Sequence, residues 1–398
     1  MLVDALFLQM GYNATLVTLG AGLLGFAAGI SGTFLFLRNR ALLSDAISHA
    51  TLPGVALAFL LMVALGGDGR SLPGLLAGSA VSALLGLLCV NALVRHTRLN
   101  EDAAIGAVLS VFFGFGVVLL TVIQTLPQGR QAGLESFLLG STAAMLWADA
   151  LIIAGGGAAV VVLALLFRRP FLLVAFDAAY ARARGLPVAR LDLLMMGLVM
   201  AITVVGLKIV GLILVVALLI VPPVTARLWT DVAARVVWLS GIFGASAAYV
   251  GAAISATAPD LPTGPIIVLV SFVVFVVSLL LAPSRGVLAA WLRYRRFQKR
   301  IHIRQGLLAL AQGHPIYERL TLRLLVAAGW ARGDGVATDD GMGYAARALR
   351  DEARWTALRT DNRFEAAAAM YDGVRDIDTV LTSDQIAEID RRIAETPA

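Results

Sequence analysis

Residues 31–54 read SGTFLFLRNRALLSDAISHATLPG, and the order of residues in this stretch decides the fold. An apolar run closes on Arg38 and Arg40, and a second helix begins at once, with Asp45 and His49 four residues apart. That spacing puts both side chains on one helix face. Thr51 and the kink-permitting Pro53-Gly54 follow, and the helix then continues as apolar sequence. Ionisable groups inside an apolar span are costly and mark substrate or ion paths. A carboxylate beside an imidazole also suits a borderline divalent metal. The plain alternative is that Ser44 or Asp45 caps the helix while His49 bonds to a neighbouring helix. Two ligands do not complete a metal site, so a partner helix or a second subunit must supply the rest.

Working outward, 59% of the 398 residues are hydrophobic and only 15% charged, with mean hydropathy +0.85. This composition excludes an ordinary soluble domain. Long repeated apolar runs predict an all-α polytopic membrane protein. Nine candidate spans fall near 13–37, 48–65, 73–95, 103–124, 147–167, 191–206, 209–226, 236–255 and 264–282. Eight is the alternative, because the apolar stretch around Lys208 holds either two short spans or one span and a partly inserted helix. The first apolar run has no basic region before it and reads as an anchor rather than a signal peptide.

The single Cys89 leaves neither a disulfide framework nor a thiolate cluster. An N-terminus outside the cell puts eleven arginines in cytoplasmic loops: Arg38, Arg40, Arg95, Arg98, Arg168, Arg169, Arg182, Arg184, Arg190, Arg227 and Arg235. Only Arg70, Arg130 and Lys208 then lie outside. The bias fixes the expected orientation, with the C-terminus cytoplasmic. Gly25-Phe-Ala-Ala-Gly29 and Gly244-Ala-Ser246 offer small faces for close helix approach.

Phe176-Asp-Ala-Ala-Tyr-Ala-Arg-Ala-Arg-Gly-Leu-Pro187 reads as a short amphipathic helix in a loop, ended by Gly185. By composition alone it is a solvated loop helix. Val205 to Gly211 leads into Ala217-Leu-Leu-Ile-Val-Pro-Pro-Val-Thr225, whose prolines free backbone carbonyls or simply stop a helix.

These segments, in this order and spacing, resemble the ABC-3 family of metal-ion ABC transporter permeases over about residues 10–283. The resemblance implies a membrane subunit of a divalent-metal importer for manganese, iron or zinc, with manganese preferred. It implies Asp45 and His49 on the metal path. It also implies an ATPase coupling helix built from Phe176, Asp177, Tyr180, Arg182, Arg184 and Gly185. The implied partners are a cytoplasmic ABC ATPase, an extracytoplasmic metal-binding protein and a second permease copy or paralogue, in a bacterial inner membrane. No permanently bound cofactor is expected beyond the transported metal. The chain is not expected to be an enzyme: its only lysines, Lys208 and Lys299, follow Leu and Gln, so it lacks the Gly-Lys of a phosphate-binding loop. The rival readings are a gradient-driven secondary metal carrier and a membrane-tethered regulator.

Residues 1–284 form the expected permease domain, 285–300 a basic linker and 301–398 a cytoplasmic domain. From 285 onward there are 18 Lys/Arg and 15 Asp/Glu, against 14 and 11 before it. Arg293-Tyr-Arg-Arg-Phe-Gln-Lys-Arg300 suits anionic lipid headgroups. Over about 301–360 the pattern of helices around Gly333-Asp-Gly335 resembles a winged-helix domain, an α+β unit. Its mixed charge is thin for nucleic acid and favours protein contact.

Overall fold

A computed structural model describes residues 2–9, 11–67, 69, 71–126, 147–258 and 261–395. The regular structure of the described residues is helical, with one isolated antiparallel bridge. Two compact units divide the chain, Met1–Val287 and Leu288–Ala398.

The first unit begins with α1 (Leu2–Leu6), α2 (Tyr12–Leu37), α3 (Leu42–Ala64), α4 (Leu72–His96) and α5 (Glu101–Thr125). It continues with α6 (Trp147–Leu166), α7 (Arg168–Phe176), α8 (Ala178–Ala183), α9 (Val188–Val210), α10 (Leu212–Trp229), α11 (Ala233–Ser255) and α12 (Thr263–Leu281). Seven described helices are long and apolar enough to cross a membrane: α2, α3, α4, α5, α9, α11 and α12. An eighth span is possible if α6 and α7, bent by 64° at Phe167, count as one. The nine expected spans thus become seven full-length helices, one bent pair and the shorter α10. Gly211, with φ +80°, breaks the apolar stretch between α9 and α10. Eighteen residues of α10 rise about 27 Å, just short of a hydrocarbon core of about 30 Å. Arg70 and Arg130 lie outside the described residues, as does the side chain of Lys208.

The small-residue faces set the packing. Gly25 on α2 and Gly244 on α11 each lie against the other's carbonyl, where a Cβ would collide with backbone. The two helices therefore approach closely, and α2 is the most buried span. The opposite extreme is α5 and α12, whose Val111, Val118, Leu269 and Phe272 point outward. Lipid tails are as apolar as these side chains, so such faces cost nothing in a membrane.

The second unit is built on α13 (Val287–Ala311), α14 (Arg319–Ala327) and α15 (Asp339–Arg359), followed by α16 (Glu365–Ala368) and α17 (Ser383–Glu395). The basic stretch 293–300 lies inside α13 as continuous helix. One core gathers Leu307, Leu310, Ile316, Leu325 and Ala345, and another gathers Trp355, Leu358, Ile377, Leu381 and Ile389. Side chains cap the helices: Glu318 accepts the Leu320 and Thr321 amides, and Thr338 accepts that of Gly341. Gln385 Oε1 accepts the amide of Thr382, as a capping box requires.

The winged-helix expectation is corrected here. Where a β-hairpin wing was expected, Ala331 and Ala337 form a single bridge around the Gly333-Asp-Gly335 turn. Thr338 then caps α15 one residue later, so helix begins before strands can extend.

Candidate functional site

Asp45 and His49 sit in the first two turns of α3. Helix geometry brings Asp45 Oδ1 to 3.3 Å from His49 Nε2, with both side chains partly buried. The other ring nitrogen, Nδ1, is buried and has no hydrogen-bond partner among the described residues. An unsatisfied buried nitrogen is costly and asks for an explanation. Phe113 of α5 meets the ring edge-on with centroids 4.8 Å apart, which fixes the imidazole plane.

Pro53 adds a second consequence. It has no N–H, so the carbonyl of His49 loses its usual helical donor four residues on. Position 49 therefore combines a buried ring nitrogen without a hydrogen bond among the described residues and a carbonyl without its usual helical donor. The nearby hydroxyls are already engaged: Ser48 bonds to Ser44 O at 2.8 Å and Thr51 to Ser48 O at 2.6 Å. Among the described residues no group of three His, Cys, Asp or Glu could hold a metal ion. One carboxylate and one imidazole are two donors, fewer than a closed structural metal site needs.

Asp177 separates α7 from α8. Its carboxylate accepts the Tyr180 amide at 2.8 Å and starts α8. Gly185, with φ +79°, turns the chain out of the helix just past Arg184. Phe176 and Tyr180 are exposed, and the Arg184 guanidinium lies 5.8 Å from the Tyr180 ring centroid. Arg182 occupies the last turn, where a cation faces the negative end of the helix. The result is an exposed stub with aromatic and basic side chains. Asp45 and His49 are not part of it.

The Pro222-Pro223 pair lies within α10, and Thr225 bonds back to Val221 O at 2.8 Å. The Leu219 carbonyl, four residues before Pro223, packs against Gly32 of α2.

One group of residues was not assigned a site role from sequence. Arg38 and Arg40, counted there only as loop charges, reach Asp192 of α9 at 3.3 and 3.8 Å. Arg40 also meets Glu101 of α5 at 2.8 Å. An acid near the start of an apolar span was the available signal, but a partner 154 residues away is not written in local pattern.

In the second unit, a cavity of about 670 Å³ is lined by Arg300, Arg304, Trp330, Tyr344 and Asp351 among others. Burial, then the nearby charge of Asp378, raises the Asp351 carboxyl above its ordinary range.

Residues 11–282 match the ABC 3 transport family. The manganese transport system membrane protein MntC of Bacillus subtilis is 40% identical over 308 residues, covering 77% of this chain and 70% of that protein. The zinc transport system membrane protein TroC of Treponema pallidum is 40% identical over 285 residues, 72% of this chain and 94% of that one. Among solved structures, a chain of PsaBC from Streptococcus pneumoniae in complex with Fab aligns with TM-score 0.63 and 32% identity. That alignment covers 74% of this chain and all of the other. These names speak for manganese and zinc and give iron no support. They offer nothing for a gradient-driven carrier or a tethered regulator.

Proposed function

The chain belongs to the ABC 3 transport family, and from this we propose that it is the membrane permease subunit of an ABC importer for divalent metal ions, manganese first and zinc second. The observation that carries the reading is the Asp45–His49 pair, with its unsatisfied ring nitrogen at the start of a membrane-spanning helix. The names of the relatives support the metal class, and manganese recurs among them.

In this reading, a cytoplasmic ABC ATPase closes on ATP and moves α8. The spans then reorient so that the path past Asp45 and His49 opens to alternate sides. An extracytoplasmic metal-binding protein supplies the ion, and a second permease copy or paralogue completes the ligand set. Asp45 contributes a carboxylate oxygen, and His49 contributes a neutral imidazole nitrogen. Oxygen and nitrogen donors without thiolate suit Mn²⁺ and also accept Zn²⁺. The N-terminus lies outside and the Leu288–Ala398 unit in the cytoplasm, as the arginine distribution favours.

Elemental mass spectrometry tests the proposal in cells depleted of each metal, comparing the native chain with Asp45→Ala and His49→Ala at equal membrane levels. A native-dependent gain of manganese or zinc, lost in both variants, is the expected result. A gain untouched by either variant would demote the pair to structural residues, and no gain of any metal would sink the importer.

A further inference from the structure

The α2–α3 turn carries more than charge. Arg38 closes α2, Asn39 takes a left-handed conformation at φ +59°, and two amides bond back: Asn39 to Phe36 O and Arg40 to Leu35 O. This is a Schellman termination with asparagine at the left-handed position, and it fixes the direction in which Arg38 leaves the chain. The Arg38 guanidinium then makes three contacts. Nε and Nη2 donate to the two oxygens of Asp192, each at 3.3 Å, and Nη1 donates to Val174 O at 3.1 Å.

Val174 lies in the last turn of α7, where the helix breaks at Asp177 and its own amide donors run out. Arg38 therefore caps the helix that leads directly into α8. One turn earlier on α2, Phe34 meets Phe171 of α7 edge-on at 5.1 Å, and both rings are buried. On the other side of the turn, Arg38 lies seven residues before Asp45.

We infer that Arg38 is a positioning residue that joins α8 to the metal path, acting through Val174 and Asp192. The inference rests on the permease reading above. Energetic coupling between sites travels through packed and hydrogen-bonded elements, and this one is short. Displacing α8 pulls the end of α7, and the fork on Arg38 passes that displacement to the turn that holds α3. Asp192 anchors the fork on α9, and Arg40 ties the same carboxylate to Glu101 of α5. A planar guanidinium can serve a carboxylate and a carbonyl together, which a lysine ammonium does not do in fixed geometry.

The test uses the full chain with Arg38→Gln, Asp192→Asn, the double variant and Arg38→Lys. Amide exchange is read in segments 171–176 and 42–49, with 233–255 as an internal control. In Arg38→Gln both segments are expected to exchange at least about fivefold faster, and the double variant no more than about twofold beyond that. In the complex with its ATPase, metal moved per ATP hydrolysed is expected to fall about fivefold or more, with basal hydrolysis kept within about twofold. Arg38→Lys should fall between native and Arg38→Gln in both readouts.

Faster exchange in only one segment, or an unchanged ratio of transport to hydrolysis, would overturn the inference. A native complex that moves no metal would instead sink the permease reading. The exchange experiment would then decide by itself whether Arg38 holds the two segments together.

Discussion

Nε2 of His49 lies 3.3 Å from Oδ1 of Asp45, while Nδ1 of the same ring is buried without a partner among the described residues. One side of the imidazole is committed and the other is buried without a hydrogen bond among the described residues. Phe113 packs edge-on against the ring and offers it no hydrogen-bonding group. A cation that displaces the His49–Asp45 contact could take donors from both residues with little rearrangement of the helix.

Asp45→Asn keeps the shape and removes the charge. Loss of a contact to a charged group is worth roughly 1.5–3 kcal/mol, so metal uptake should fall at least about tenfold. Ser48→Ala, whose hydroxyl serves only its own helix, should leave uptake unchanged. Radiotracer or elemental uptake at matched membrane expression reads both, and equal activity in Asp45→Asn would remove the residue from the path.

The Gly25–Gly244 approach leaves no room for a side chain. Gly25→Leu should destabilise the detergent-solubilised chain by about 1–3 kcal/mol of overpacking strain, read as a lower thermal midpoint. Gly106 on α5 meets nothing within 4 Å of a built Cβ, so Gly106→Ala should be neutral or stabilise by up to about 1 kcal/mol. A matched fall in both variants would mean that the helix contact is not what limits stability.

Tyr180→Pro removes the amide that Asp177 accepts at 2.8 Å and disfavours helical backbone at Ala179, which weakens the start of α8. The variant should insert normally but fail to copurify with the ATPase. Retained assembly with retained uptake would show that α8 is an ordinary loop helix.

Acid should loosen α14. The Thr321 side chain, then the amides of Thr321 and Leu320, lower the Glu318 carboxyl from 4.5 to about 2. A depressed carboxylate stabilises the folded state above its unfolded value, and that contribution is lost as pH falls from 4.5 toward about 2. Amide exchange over 319–327, corrected for intrinsic rate, should therefore quicken across this window in the native chain. Glu318→Gln should flatten the response. The Asp361 carboxyl, lowered from 3.8 to about 2 first by Arg363, should respond over the narrower window from 3.8 toward about 2, just past the end of α15.

What the sequence determined is local and periodic. Apolar runs long enough for lipid made the helices, and a spacing of four set Asp45 over His49 because an α-helix turns every 3.6 residues. Gly185 marked the end of α8 because helix termination depends on residue types within a turn of each other. Pro53 announced a missing donor by its chemistry alone. The tertiary structure decided the rest. It bent α6 and α7 at Phe167, moved the expected 209–226 span to start after Gly211, and ended the wing after one bridge because Thr338 starts a helix there. It left Nδ1 of His49 without a partner among the described residues, beside the Phe113 ring that α5 supplies. It also brought Arg38 to Asp192 across 154 residues. Such contacts depend on which apolar faces pack together, and many pairings of similar faces satisfy the same local pattern.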